Sequence, residues 1–198
     1  MFGVARADET GQEPREWVAP VWFGPPDDEL PVCVPLALVL ARSNRAVIAL
    51  SHVTAYSTGI AIEFVVQSRG VPEREAQRLF HEQHMPPIEG DPAPAFLRVG
   101  VELADGSRAS NIGGRHQSHD PERPPDGPIL MQHGGGGGSS GQGRVTMRPG
   151  FWMWPVPPPG VVRLLCEWPL LDIPLSSVEL DGAALRAASE RAVRLWES

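Results

Sequence analysis

The chain has 198 residues, a formal net charge of −7 and 17 basic residues, every one of which is arginine. This length allows one domain with a core that needs no disulfide or structural metal. Because lysine is absent, Schiff-base chemistry, a lysine-anchored pyridoxal cofactor and a P-loop lysine are excluded. The acidic balance offers no basic field to nucleic acid, and no apolar run of about eighteen residues could span a membrane.

Residues 1–28 are acidic, rich in proline and aperiodic, which predicts a mobile arm in front of a single domain at 29–198. The sequence does not begin with the basic and apolar segments of a signal peptide, so we expect a cytoplasmic protein. Two cysteines, Cys33 and Cys166, fit that compartment as unpaired thiols.

Apolar and polar residues alternate in short segments that are separated by turn residues. The clearest segment is 60–66, whose even-numbered side chains are predicted to face the core. Asp105-Gly106 is typical of a two-residue hairpin turn. About nine such segments without βαβ alternation predict an all-β, mainly antiparallel fold, which we interpret as an immunoglobulin-like β-sandwich.

A C-terminal amphipathic helix is predicted at 182–195. The carboxylate of Asp181 can accept hydrogen bonds from the first free N–H groups of such a helix. A stripe that would pack on a sheet recurs at helical spacing, at Leu185, Ala188, Ala192 and Leu195.

A run of glycines at 134–143 is predicted to form a loop between two strands. Residues 137–141 match the Gly-x-Ser-x-Gly pattern of a nucleophile elbow, but no helix is predicted to follow them. The run also lacks the lysine of a phosphate-binding loop. The pattern therefore favours a flexible hairpin loop, and we assign Gly136 and Gly137 to a candidate interaction surface.

Four histidines form two His-x-x-His pairs, His81 with His84 and His116 with His119. On a helix, the first pair would share one face and could bind a metal ion. The alternative interpretation is that all four are solvated loop side chains.

An aromatic strand is predicted late in the chain, with Phe151 facing one way and Trp152 and Trp154 the other. One of these faces would be exposed if only the other packs on the core, and exposed aromatics can stack on sugars, bases or a partner protein. The alternative is that both faces are covered.

The chain resembles a family of hypothetical proteins from high-GC actinobacteria. The resemblance extends over about two thirds of the chain and is carried by stretches at 47–64, 99–106, 134–138, 151–155, 166–169 and 178–184. The resemblance implies no reaction, ligand or catalytic residue.

From these features we expect a non-enzymatic protein-interaction or self-association module without a cofactor. Its surface would comprise Phe151, Trp152 and Trp154 with the two glycines. One alternative is a hydrolase or metal-dependent enzyme that uses the four histidines. Another is a carbohydrate-binding sandwich that uses exposed tryptophans.

Overall fold

The computed structural model describes residues 19–84, 92–112 and 122–196. The strands are β1 Glu29–Leu30, β2 Val32–Arg42, β3 Ala46–Ala55, β4 Ile60–Arg69, β5 Arg98–Glu102, β6 Arg108–Ser110, β7 Ile129–Gly141, β8 Arg144–Trp154, β9 Val161–Trp168, β10 Ile173–Asp181 and β11 Val193–Arg194. The helices are α1 Glu73–His84 and α2 Gly182–Ser189. The prediction of an all-β, mainly antiparallel fold is confirmed.

The strands form two large sheets and one small one. The five-stranded sheet has the order β2-β3-β4-β8-β7, and the four-stranded sheet has the order β10-β9-β5-β6. Strands β1 and β11 pair separately as a two-stranded ribbon. All the pairings in these sheets are antiparallel.

Both large sheets contribute to one hydrophobic core. Alternation along each strand sends every second side chain inward, so the buried apolar residues of the two sheets belong to one cluster. Phe64 of β4 and Phe151 of β8 meet edge to face there, with ring centroids 5.5 Å apart. Trp168 of β9 is fully buried, and its Nε1 donates a hydrogen bond of 2.8 Å to the carbonyl oxygen of Ala95.

Helix α2 begins at the predicted residue but ends earlier than predicted. The carboxylate of Asp181 accepts hydrogen bonds from the N–H groups of Ala183 and Ala184, at 2.9 and 3.3 Å. The helix ends at Ser189 instead of 195. Beyond it, the chain gains backbone pairing with β1, and the N–H of Leu195 donates to Asp28 at 2.7 Å. The strand pairing therefore stabilises these last residues more than the helical spacing of Ala192 and Leu195 would stabilise a longer helix.

The predicted glycine loop is wrong, because the glycine run lies within strand β7 and pairs with β8. Two register shifts interrupt the pairing, and Gly134 and Gly135 have φ values of 61° and 66° there. The hairpin turn is instead Gln142-Gly143, in which both residues have positive φ, as a type I′ turn requires. The sequence did not indicate the position of this turn, because Gly143 is one of several glycines in the run.

The N-terminal arm is described only from residue 19, and residues 1–18 lie outside the described residues. The ring of Trp22 lies 6.0 Å from that of Trp154 in β8, so the last part of the arm packs on the five-stranded sheet. No helix in the described ranges is long and apolar enough to cross a bilayer. The domain boundaries and the cytoplasmic location stay predictions.

Candidate functional site

The predicted aromatic surface on β8 is covered on both faces. Phe151 and Trp152 are buried, and Trp154 is half-buried against Trp22. Tyr56 packs edge to face on Trp152, with ring centroids 5.7 Å apart. Neither a partner protein nor a sugar could reach the rings of Phe151 or Trp152. The assignment of these two side chains to an interaction surface is therefore wrong, because the core covers one face of the strand and Tyr56 and Trp22 cover the other.

Gly136 and Gly137 lie in the backbone of β7 and not in a mobile hairpin. Their strand is the outermost of the five-stranded sheet, and the neighbouring Gly138 lies under Phe80 of helix α1. A role for the two glycines in binding stays a prediction.

The histidine pairs are described only in part. His81 is exposed on α1 and His84 is the last residue of that helix. His116 and His119 lie outside the described residues, so whether the two pairs meet stays untested. Within 19–84, 92–112 and 122–196, no group of three or more histidine, cysteine or acidic side chains could hold a metal ion.

A groove lies on the outer face of the four-stranded sheet. Its volume is about 660 Å³, and strands β5, β6, β9 and β10 supply its lining together with Ile112. The register of the strands arranges the outward side chains in three rows that cross the sheet. The groove follows the middle row, and the outer rows form its two walls.

The first wall belongs to a ladder of alternating charges across all four strands, of which Glu102 and Arg108 line the groove. Glu179, Arg163, Glu102 and Arg108 are successive cross-strand partners from β10 to β6. Arg163 lies 3.2 Å from Glu179 and 3.5 Å from Glu102, and Arg108 lies 3.2 Å from Glu102. Opposite charges directly across antiparallel strands stabilise a sheet, so this wall is held in place by its own ion pairs.

The second wall contains one ion pair between two apolar ends. Arg98 of β5 and Glu167 of β9 form it, with a nitrogen–oxygen distance of 2.7 Å. A second guanidinium nitrogen of Arg98 donates to the carbonyl oxygen of Pro92 at 3.1 Å. Ile112 and Leu175, which also line the groove, are 38% and 69% exposed. A molecule bound in the groove could therefore contact these two aliphatic side chains.

The floor of the groove consists of small or apolar residues. Leu165, Gly100 and Ser110 are cross-strand partners in the middle row, and Ser177 pairs with Leu165 on the β10 side. Because Gly100 has no side chain and the two serines have short ones, this row lies below the two charged rows. The depression is therefore a direct consequence of residue size in one register row.

The thiol of Cys166 is not an activated nucleophile. Cys166 of β9 also lines the groove, but burial raises the pKa of the Cys166 thiol to about 12. A thiol with such a pKa stays protonated at neutral pH and is a poor nucleophile or metal ligand.

Comparison of the chain with family models, with curated proteins and with solved structures finds no match. The groove was not predicted from the sequence. Its signal is present on strands β5 and β9, where Gly100 lies between the charged outward residues Arg98 and Glu102, and Leu165 lies between Arg163 and Glu167. Only the cross-strand register shows that these two residues are partners, and the register depends on pairings that are distant in sequence.

Proposed function

We propose that the protein is a protein-binding module, and that the groove receives a short extended segment of a partner protein. This proposal rests on the neutral floor of the groove, which lies between two walls of paired charges. The bound segment would place a large apolar side chain over Gly100 and Leu165. Residues of opposite charge on either side of it would meet the two walls.

The size of the groove supports a segment of four or five residues. Neighbouring strands lie about 4.8 Å apart, so four strands span about 14 Å across the sheet. An extended chain advances about 3.3 Å per residue, which gives about four residues over that distance. The aliphatic side chains of Ile112 and Leu175 lie toward opposite edges of this span and favour apolar groups there.

The charges support a neutral ligand over a strongly charged one. Arg98, Arg108 and Arg163 each form an ion pair with a glutamate. A polyanion would have to displace these glutamates, and a polycation would have to displace the arginines. A segment with an apolar centre leaves these ion pairs intact. Removal of its apolar side chain from water makes the free energy of binding more favourable.

We also infer that the two large sheets form an immunoglobulin-like sandwich. The order β3-β4-β8-β7 corresponds to strands A, B, E and D of that fold, and β10-β9-β5-β6 to G, F, C and C′. Strand β2 would be an additional edge strand. This assignment concerns the fold alone, since one sandwich architecture supports many functions.

Selection of peptides on the immobilised protein tests the proposed function. The library displays random segments of about seven residues, and recovered peptides are assayed again on Gly100→Phe and on a control, Gly127→Phe. A β-carbon at Gly100 would meet its nearest neighbour at 3.5 Å, and one at Gly127 would meet nothing within 4 Å, so both variants should fold.

We expect recovered peptides to carry an aliphatic or aromatic residue between charges of opposite sign. They should bind the Gly127→Phe control but not Gly100→Phe, in which the added ring fills the groove. Recovery of peptides that bind both variants equally would contradict the proposal, as would recovery of uniformly charged peptides.

A further inference from the structure

An exposed apolar patch lies on the two-stranded ribbon, away from the residues that line the groove. Leu30 of β1 and Val193 of β11 are cross-strand partners, so their side chains share one face. Leu195 lies two residues after Val193, and Trp196 follows it. These four residues, the ribbon patch, are 59%, 57%, 52% and 76% exposed in the order Leu30, Val193, Leu195 and Trp196.

Most of the large exposed apolar side chains in the described ranges are in two places. The ribbon patch contains four of nine, and Ile112 and Leu175 of the groove are two more. Adjacent exposed apolar residues are typical of a surface that contacts another protein. Tryptophan in particular is enriched among the residues that contribute most to such contacts.

The backbone of the ribbon is held in a defined geometry. The N–H of Leu195 donates to the carbonyl oxygen of Asp28 at 2.7 Å. The buried carboxylate of Glu29 accepts a hydrogen bond of 2.9 Å from the N–H of Ser57, and the Ser57 hydroxyl donates to the same carboxylate. Leu30 and Val193 of the patch are therefore presented by paired strands, which lowers the entropy that is lost when the patch binds.

We propose that the ribbon patch is the occupant of the groove, and that it comes from a second copy of this chain. This inference rests on the proposed function of the groove. The segment Val193–Trp196 has about the number of residues that the groove accommodates, and it provides the large apolar side chains of Leu195 and Trp196. The groove and the patch share no residue, so each copy offers one of each surface.

The local charges of the two surfaces do not oppose this self-association. The chain carries a net charge of −7, and like-charged copies repel one another. The groove walls nevertheless contain two arginines and two glutamates, Arg98, Arg108, Glu102 and Glu167, in the ion pairs described above. On the ribbon, Arg194 is the cross-strand partner of Glu29. Both surfaces are thus locally neutral, and contact between them adds no repulsion beyond that of the whole molecules.

A complementation experiment with two variants tests the inference. Gly100→Phe fills the groove and leaves the patch intact. The double variant Leu195→Ser with Trp196→Ser removes the patch and leaves the groove intact. The matched control is Val39→Ser, since Val39 is an apolar residue of β2, 42% exposed and outside both surfaces. Light scattering measures the mass of each protein over a range of concentrations.

We expect wild type and Val39→Ser to associate as the concentration rises, and each of the other two proteins to stay monomeric. Loss of the tryptophan should weaken the association by about 30-fold or more. A mixture of the two monomeric variants should associate, because one supplies a groove and the other a patch. A mixture that stays monomeric would overturn the inference, as would a wild type that stays monomeric.

The peptide selection separates failure of this inference from failure of the proposed function. If wild type is monomeric but selected peptides still need an open groove at Gly100, the groove binds protein segments and only its occupant is different. If the selection also fails, the proposed function itself is wrong.

Discussion

The ring of Phe80 in helix α1 lies directly against Gly138 in strand β7. A β-carbon at residue 138 would come within 2.4 Å of Phe80 Cε1, which is closer than two carbon atoms approach. The glycine run therefore lets a helix lie on a strand that pairs with β8 on its other side. This is a structural reason for glycine at a position that in sequence looks like part of a linker.

Gly135→Ala should destabilise the protein strongly. Residue 135 has a φ of 66°, and a β-carbon there would lie 2.2 Å from the carbonyl oxygen of Arg148. That oxygen belongs to the backbone and cannot move aside. We expect a loss of about 2–4 kcal/mol in the free energy of unfolding, measured by chemical denaturation.

The control for this variant is Gly141→Ala, at the end of the same strand. A β-carbon there would meet nothing within 4 Å, so the stability should stay within about 0.5 kcal/mol of wild type. Equal stability of the two variants would mean that β7 does not pair with β8 near Gly135. Replacement of 134–143 by a short turn should also destabilise the protein, because it removes paired strand residues and the surface under α1.

The sequence predicts strands well where one face is buried and the other is solvated. The segment 60–66 is such a case, and Ile60, Ile62, Phe64 and Val66 are all buried. The glycine run could not be predicted as a strand, because glycine has no side chain to show which face is buried. The helix end at Ser189 was also missed, since the pairing of β11 with β1 joins segments that lie far apart in sequence.

Leu185→Asp should destabilise the protein strongly, because it buries a carboxylate in the apolar core. Leu185 of helix α2 is 1% exposed and belongs to the core cluster. We expect a cost of about 3–5 kcal/mol in the free energy of unfolding. Ala187→Asp is the matched control, because Ala187 is exposed on the same helix. Equal free energies of unfolding for the two variants would show that α2 does not pack on the sheets.

The two cysteines should differ sharply in reactivity. Cys33 is free and exposed on β2, whereas Cys166 is free and buried, with its pKa raised to about 12 by that burial. A thiol reagent should label one cysteine per chain in the native protein and both after denaturation. Mass spectrometry identifies the site, and rapid native labelling of Cys166 would show that β9 is more open than described.

Acidic pH should weaken the contact between the arm and strand β7. Burial lowers the pKa of His133, and the nearby Asp27 opposes this effect. The ring lies beside Gly24, where a β-carbon would be 3.2 Å from its Cε1. With a folded-state pKa below the ordinary value of about 6.5, stability is fully present above that pH and is lost as the pH falls through and below it.

The measurement is the melting temperature of wild type and of His133→Gln at pH 7.5 and pH 5.5. The wild type should lose more stability on acidification than the variant, since the variant cannot bind the proton. Identical losses would show that burial of His133 does not contribute to the pH dependence.

Photo-crosslinking from the edge of the groove on the four-stranded sheet tests whether this groove binds a protein segment. Leu175, 69% exposed beside the groove, is replaced by p-benzoylphenylalanine, and the same residue at Val39 serves as the control. Mixing light and isotope-labelled protein distinguishes contacts between copies from contacts within one chain. We expect crosslinks from residue 175 to Val193–Trp196 of another copy, absent from the control and abolished by Gly100→Phe. Crosslinks that survive Gly100→Phe, or a yield no higher than that of the control, would contradict this expectation.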